Sequence, residues 1–527
     1  MSRSLPDKYY GENGIHRVPL WRMAGFALNN TATNTYMFLM NYVAYYFMGF
    51  LGVATVTASS IAMFMRIWDG VTDPIIGMTV DKTDGKFGKN RPFMVIGQLI
   101  LLVMSFIMFH WVVLLPQAIR FPAFLVCEAI YYIGYTFQCV VTKSAQTCIT
   151  NDPKQRPLFS MFDGVYNTVL FAVMAVVVTN ISGLEKNTVY DEAGNIVAAQ
   201  SGFFSQGTWN DMWLICAGLS LLFTIIAVIS IWPKDQTEFY GTGVKQERVG
   251  LKDYWDTIKG NRALQMLIVS ASSDKLATSM RTSTVYIALF ALIAGTYDIY
   301  GTMTGMTTVP SAILCMLCVG GLATTLGQRK AMLLGSWGGI ILNAVMILLW
   351  IFGDPTSMVA ADGHSLNMGF FTIAYIVLTV AIAGVQGVSG NIVIPMTADC
   401  ADYEVYRTKK YVPGMMGTLF SLVDKLISSF APLITGVAFA AIGFSTTMPD
   451  RNANLQEIIA NGNTYMDQVI NVDMIKPVCL FLAFGTVIIG LICNVIALKF
   501  YPLTKEYMAE IQDEIAEIKA KAMAEQQ

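Results

Sequence analysis

Arg66–Phe93 reads RIWDGVTDPIIGMTVDKTDGKFGKNRPF, and two unlike stretches of chain meet within it. Up to Val80 it continues an apolar window that opens near residue 56; from Asp81 onward it is a loop rich in lysine and glycine. An apolar run of about 20 residues crosses the hydrocarbon core of a bilayer as a helix. The stretch therefore predicts a membrane helix over 56–80 that ends in a charged loop. Arg66, Asp69 and Asp73 interrupt the apolar run, and the two aspartates stand four residues apart, on one helical face.

Composition extends this reading to the whole chain. Of 527 residues, 54% are hydrophobic and 13% charged, against roughly 25% charged in globular domains. Mean hydropathy is +0.53. One soluble core rarely exceeds about 250–300 residues, and this chain lacks the polar surface to cover two. A soluble enzyme, a disordered scaffold and a secreted disulfide framework are excluded. The formal net charge of −2 makes no electrostatic case for nucleic acid. Eight of the nine cysteines lie in apolar runs and Cys400 ends one, so they read as small buried hydrophobes. The CxxC of Cys315 and Cys318 reads as packing. His16, His110 and His364 form no metal or nucleophile motif, so neither an enzyme nor a cofactor is expected.

Outward from Arg66, apolar windows recur near 24–49, 56–80, 92–116, 121–149, 158–183, 210–233, 263–293, 300–326, 330–353, 368–398, 414–444 and 474–500. They predict an all-α membrane protein of twelve spanning helices. The polar segment 234–262 divides them six and six, into an N-terminal bundle (1–233) and a C-terminal one (263–500), with a tail over 501–527. Met1–Arg22 carries no cleavable signal. With a cytoplasmic N-terminus, the tails and inner loops hold 25 of the 34 basic residues, whereas the outer loops hold Arg120, Lys186 and Arg451. That is the positive-inside pattern of a multi-pass cell-membrane protein with both termini cytoplasmic. The outer segments Leu184–Trp209 and Ser445–Asp473 read as solvated and receive no chemistry. In the tail, Met508, Ile511, Ile515 and Ile518 recur at helical spacing, as in an amphipathic helix on the inner surface or a docking site for a regulatory protein.

Ionisable groups inside a bilayer normally face a bundle interior and mark ion or substrate paths. Here they are Arg66, Lys143, Lys275, Arg281 and Lys425 with Asp69, Asp73, Glu128, Asp163, Asp274 and Asp424. Asp69 and Asp73 repel each other in low dielectric unless one is protonated or a cation lies between them. Thr72 adds a hydroxyl, and a hard cation such as sodium takes oxygen ligands. The alternative is that Arg66 neutralises Asp69. Thr136, Cys139 and Lys143 share a stripe on the fourth window. Asn30, Asn34 and Asn41 form a polar stripe on the first, suited to hydroxyl-rich ligands or to hydrogen bonding between helices. Asp274 and Arg281 lie two turns apart, as an internal pair or a ligand site, and Ser421, Lys425 and Ser428 share a face near Asp424.

These residues resemble a known family. Arg66–Phe93 is similar to the second-helix and loop signature of the glycoside–pentoside–hexuronide:cation symporters, members of the major facilitator superfamily that include the melibiose and glucuronide permeases. Gly77, Asp81, Lys82 and Arg91 fit the superfamily's loop motif. MTADCADYEVYRTKKYVPG around Asp399 and Asp402, LVDKL with Lys425, and FYPLTKEYMAEI resemble later family segments, so the likeness runs through most of the chain. It implies two six-helix bundles about a midplane cavity, worked by alternating access. It places a cation site on Asp69, Thr72, Asp73 and Thr136, with Thr72 where the family carries Asn. It places the substrate among Asn30, Thr33, Asn34, Cys139, Lys143, Asp163, Arg281, Ser421 and Lys425. It also implies cytoplasmic gates at Gly77, Asp81 and Arg91 and at Asp399, Asp402 and Arg407. Thr33 and Cys139 stand where the melibiose permease has sugar-binding aspartates; Lys143 and Gly390 replace its aromatics. Losing two carboxylates and gaining a lysine moves the pocket towards accepting a negatively charged ligand. The expectation is a monomeric symporter of a glycoside, acidic and hexuronide-like, coupled to sodium. Proton coupling, a neutral pentoside or oligosaccharide, and a non-transporting receptor are the alternatives.

Overall fold

A computed structural model describes residues 17–82, 87–150, 156–181, 188–190, 196–199, 202–236, 258–408, 423, 425–465, 467–504, 506–508, 510, 511 and 514. By their contacts they form two compact units, Met1–Gly243 with Phe444–Asn452, and Val244–Gly443 with Ala453–Gln527. Apolar backbone away from water must satisfy its own N–H and C=O groups, which a helix does within one segment.

Unit 1 is built from α1 (Leu20–Met40), α2 (Val43–Leu51), α3 (Thr55–Lys82), α4 (Arg91–Phe106), α5 (Gln117–Ser144), α6 (Gln146–Ile149), α7 (Arg156–Ile181) and α8 (Gln206–Ile231). Unit 2 holds α9 (Arg262–Ser279), α10 (Ser283–Ile287), α11 (Asp298–Leu326), α12 (Gln328–Phe352), α13 (Phe370–Thr408), α14 (Ala431–Ala441), α15 (Leu455–Ala460), α16 (Val472–Leu480) and α17 (Thr486–Lys499). Among the described residues, the strands form two antiparallel pairs, β1 (Thr188–Tyr190) with β2 (Ile196–Ala199) and β3 (Thr464–Tyr465) with β4 (Gln468–Val469). Among the described residues, eight helical runs are long and apolar enough to cross a membrane, or nine if α9 and the segment bent 47° from it are one span.

Each unit has its own core. In unit 1, Phe26, Ile76, Phe93, Met94, Val141 and Ile231 bring α1, α3, α4, α5 and α8 together. In unit 2, Leu264, Met332, Ile392, Met396 and Leu498 do the same for α9, α12, α13 and α17. Leu214, Leu222, Ile225 and Ile229 leave a large apolar surface exposed along α8, as a lipid-facing helix does.

Several expectations are corrected. The first window breaks at Asn41 between α1 and α2, and the seventh breaks at Met280–Thr282 between α9 and α10. The tenth helix continues to Thr408, ten residues past its apolar window. The outer segments are not simply solvated. Asp450 is fully buried and Arg451 is 4% exposed. Their polarity is used inside unit 1: Thr55 N donates to Ser445 O at 3.0 Å, Tyr45 Oη to Pro449 O at 2.8 Å, and the Arg451 guanidinium to Thr179 O. Phe203, from the other outer segment, stacks on Tyr42 at 5.0 Å between ring centroids. Lys234 and Asp235, assigned to the central loop, are buried in unit 1. In the tail, Tyr507 and Met508 pack on the unit 2 core and Ile511 is buried; Ile515 and Ile518 lie outside the described residues.

Candidate functional site

α3 turns Asp69 and Thr72 towards α5. Thr136, fully buried on α5, donates from Oγ1 to Asp69 Oδ1 at 2.9 Å. Thr72 donates to the Asp69 backbone oxygen at 3.0 Å, and its hydroxyl lies 3.3 Å from that of Thr136. Asp69 and Thr72 are buried, as is Oδ1 of Asp73 one turn further on. Pro74 has no N–H and removes a rung of the helix ladder on the same turn. Carboxylate and hydroxyl oxygens on adjoining turns of two helices form the ligand type a hard cation takes. Arg66, the other expected neutraliser of Asp69, is exposed.

The asparagines of α1 meet α7. Asn30 Nδ2 donates to Asp163 Oδ1 at 2.8 Å, Asn34 Nδ2 to Asn167 Oδ1 at 2.8 Å, and Asn167 Nδ2 to Asp163 Oδ1 at 3.0 Å. The result is a ladder of amides closed by one carboxylate. Asn41 does not join it, because α1 has ended and the residue is exposed. Thr33 is 1% exposed and its hydroxyl donates back to Asn29 O, away from this ladder. Cys139 is half-buried on α5.

In unit 2, Arg281 sits in the break between α9 and α10. Its donors reach neutral oxygens, Ala483 O at 2.6 Å, Asn343 Oδ1 at 2.7 Å and Gln386 Oε1 at 3.4 Å, with the Phe484 ring beside it. Asp274, offered as an internal partner of Arg281 or as part of a ligand site, accepts from Ser389 of α13 at Oδ2, 3.3 Å away. Lys425 is half-buried just before α14, and its backbone oxygen accepts from Ser429 N. Ser421, Asp424 and the side chains of Asp81, Lys143 and Asp402 lie outside the described residues.

Both expected gates find carboxylates that sequence reasoning missed. Arg91 pairs with Asp235 at 3.2 Å, and the backbone N–H groups of Lys89, Asn90 and Arg91 all donate to the same carboxylate. Asp235 thereby caps α4 from the far end of α8. Gly77, upstream on α3, has open space around its Cα. Arg407 pairs with Glu404 at 2.7 Å, and Asn261 donates to the same glutamate at 2.9 Å. That hydrogen-bonded carboxylate holds the Arg407 proton more firmly than usual. Glu404 stands inside the quoted YEVYR segment, whereas Asp235 is 144 residues from Arg91 and no local pattern joins them.

The family described as MFS/sugar transport protein matches residues 25–481. A glucuronide carrier protein homolog of Escherichia coli is 22% identical over 511 residues, covering 94% of this chain and 95% of that protein. An isoprimeverose transporter of Lactiplantibacillus pentosus is 21% identical, covering 82% of each. Among solved structures, the nucleoside transporter NupG aligns with a TM-score of 0.56 at 13% identity, over 91% of this chain and 100% of that one. A bacterial homolog of the lysosomal transporter Spinster gives 0.56 at 13% identity, over 92% of this chain and 97% of that one. At that identity, the structural likeness speaks for the fold.

Proposed function

This chain belongs to the MFS/sugar transport protein family, in its glycoside–pentoside–hexuronide:cation symporter branch, and from that premise we propose that it couples sodium entry to the uptake of an acidic glycoside. It is a transporter and not an enzyme. The proposal includes twelve spans, a monomeric state, a place in the cell membrane with both termini cytoplasmic, and alternating access of the two bundles. The observation that carries the coupling is the bond from Thr136 to Asp69 beside Thr72, which joins α3 to α5 through cation-type ligands. A sodium ion on Asp69, Asp73, Thr72 and Thr136 would neutralise the two carboxylates and hold the helices in one arrangement. Ion and substrate must then raise each other's affinity by the same factor.

Asp69→Asn and Asp73→Asn are each expected to abolish sodium-stimulated uptake while membrane expression persists. A variant that keeps full sodium dependence removes its residue from the site. Uptake driven by a pH gradient and indifferent to sodium would assign proton coupling instead.

The substrate's charge follows from the cations of the sugar site. Among the described residues, the hydrogen-bond acceptors of the Arg281 guanidinium are the neutral oxygens of Ala483, Asn343 and Gln386. Lys143 replaces an aromatic residue of the melibiose permease. Asn30 and Asn34 offer amides at the α7 ladder, and Lys425 and Ser421 complete the proposed lining. The glucuronide in one relative's name agrees with an acidic ligand, and the isoprimeverose in another's does not. Lys143→Gln should weaken binding of an acidic glycoside far more than of its neutral analogue; equal loss for both, or tight binding of neutral sugars alone, returns Lys143 to structure.

A further inference from the structure

Glu128 stands on α5 eight residues before Thr136, so Glu128, Tyr132 and Thr136 succeed one another a turn apart. It is 1% exposed, and among the described residues neither carboxylate oxygen accepts a hydrogen bond. Trp68 Nε1 of α3 donates to Ala129 O at 3.1 Å, so the helix that bears Asp69 closes over the backbone next to it.

The titratable groups around it are aromatic and thiol. Tyr131 and Tyr132 flank it on α5, and the Tyr131 ring meets Tyr36 of α1 at 6.2 Å, with Cys216 of α8 near both Tyr131 and Tyr36. Arg66 and Asp69 of α3 and Glu128 itself all act electrostatically on Tyr132. Arg120, two turns earlier on α5, donates to Leu115 O, Phe50 O and Gln117, and His110 lies against Phe106 and Trp213. No lysine or arginine nitrogen forms an ion pair with Glu128 among the described residues. An ionised carboxylate taken out of water without a donor or a counter-charge is far costlier than the neutral acid, so such a group takes up a proton.

We propose that Glu128 is a proton-binding site separate from the Asp69 cation site, loaded with a proton in this conformation and linked to the cation through Tyr132. Atoms and charge balance simply: the carboxylic acid gives its proton to water as a cation arrives at Asp69, and regains it when the cation leaves. The negative charge left on the stripe favours the cation, and by reciprocity the cation loosens the proton. The linkage rests on the sodium reading above; the proton itself does not.

The test uses the full-length protein reconstituted in lipid at neutral pH, with infrared spectra of wild type and Glu128→Gln compared in water and heavy water. A carboxylic-acid carbonyl band that shifts on deuteration is expected in wild type and lost in Glu128→Gln. Identical spectra in that region would overturn the proposal, as would a carboxylate band assigned to Glu128. Glu128→Asp, which keeps the acid and should move the band without removing it, covers the case in which Glu128→Gln fails to fold. In a second measurement, sodium chloride is added to weakly buffered protein carrying a pH indicator. Proton release by wild type that Glu128→Gln loses supports the linkage, and equal release by both overturns it. If Asp69→Asn abolishes neither release nor sodium dependence, the cation reading fails while the infrared result stands.

Discussion

At the scale of single residues, Thr136 separates a charged helix face from a site. A hydrogen bond to an ionised group contributes about 1.5–3 kcal/mol, and the Thr136 hydroxyl gives one to Asp69 Oδ1 at 2.9 Å in a buried setting. Thr136→Ala removes both that donor and an oxygen of the proposed cation site. It should weaken sodium binding roughly 10–100-fold, since about 1.4 kcal/mol is tenfold. Thr136→Ser should retain most of the affinity. Sodium titration of the unfolding temperature measures both, because a ligand that binds the folded state raises it. An unchanged sodium midpoint in Thr136→Ala would exclude the hydroxyl from the site. Asp69, Asp73, Thr72 and Thr136 were legible as candidates from spacing and resemblance. The bond between Thr136 and Asp69 was not, because the two are 67 residues apart and no periodicity reports a contact between helices.

At the scale of elements, residues 87–90 show how a motif of small and basic residues does mechanical work. Gly88 has φ +88°, and a Cβ there would lie 2.2 Å from Asp235 Oδ2 and 2.6 Å from the Asp235 backbone oxygen. The chain must pass this close for three successive N–H groups at the start of α4 to converge on one carboxylate. A helix N-terminus has unsatisfied N–H groups and favours an anion. Asp235 supplies it, while Arg91 completes the pair and lies over the Trp232 ring at 4.4 Å. Gly88→Ala should therefore destabilise the protein by about 1–2 kcal/mol from backbone conformation alone, with more from displacing Asp235. A lowered unfolding temperature and faster hydrogen exchange at the start of α4 are the expected readouts. A wild-type unfolding temperature would mean that the loop relaxes without cost. The resemblance marked Arg91 and pointed to Asp81 as its neighbour; the structure supplies Asp235, which follows an apolar window and looks like ordinary loop charge.

At the scale of the whole molecule, chain order and compact unit part company once. Phe444–Asn452 is flanked on both sides by residues of unit 2 and packs in unit 1. Two of its carbonyl oxygens accept from the Thr55 backbone and the Tyr45 hydroxyl, and the Arg451 guanidinium reaches the end of α7. A reading by polarity leaves this segment in water, since Asp450 and Arg451 are charged and rarely buried without partners. Partners brought from α2, α3 and α7 draw it into the interior of the unit instead.

The division between sequence and structure has one physical cause. The sequence by itself determined that the chain lives in a bilayer, where its apolar windows fall, and which ionisable residues lie inside those windows. These follow from transfer free energy and helical periodicity, which act locally and add along the chain. Only the tertiary structure decided which partners those residues take: Thr136 for Asp69, Asn30 and Asn167 for Asp163, neutral oxygens for Arg281, Asp235 for Arg91 and Glu404 for Arg407. A hydrogen bond is directional and fails within an ångström of its optimum, so it depends on how helices distant in sequence are rotated and registered against one another, and hydropathy carries no record of that.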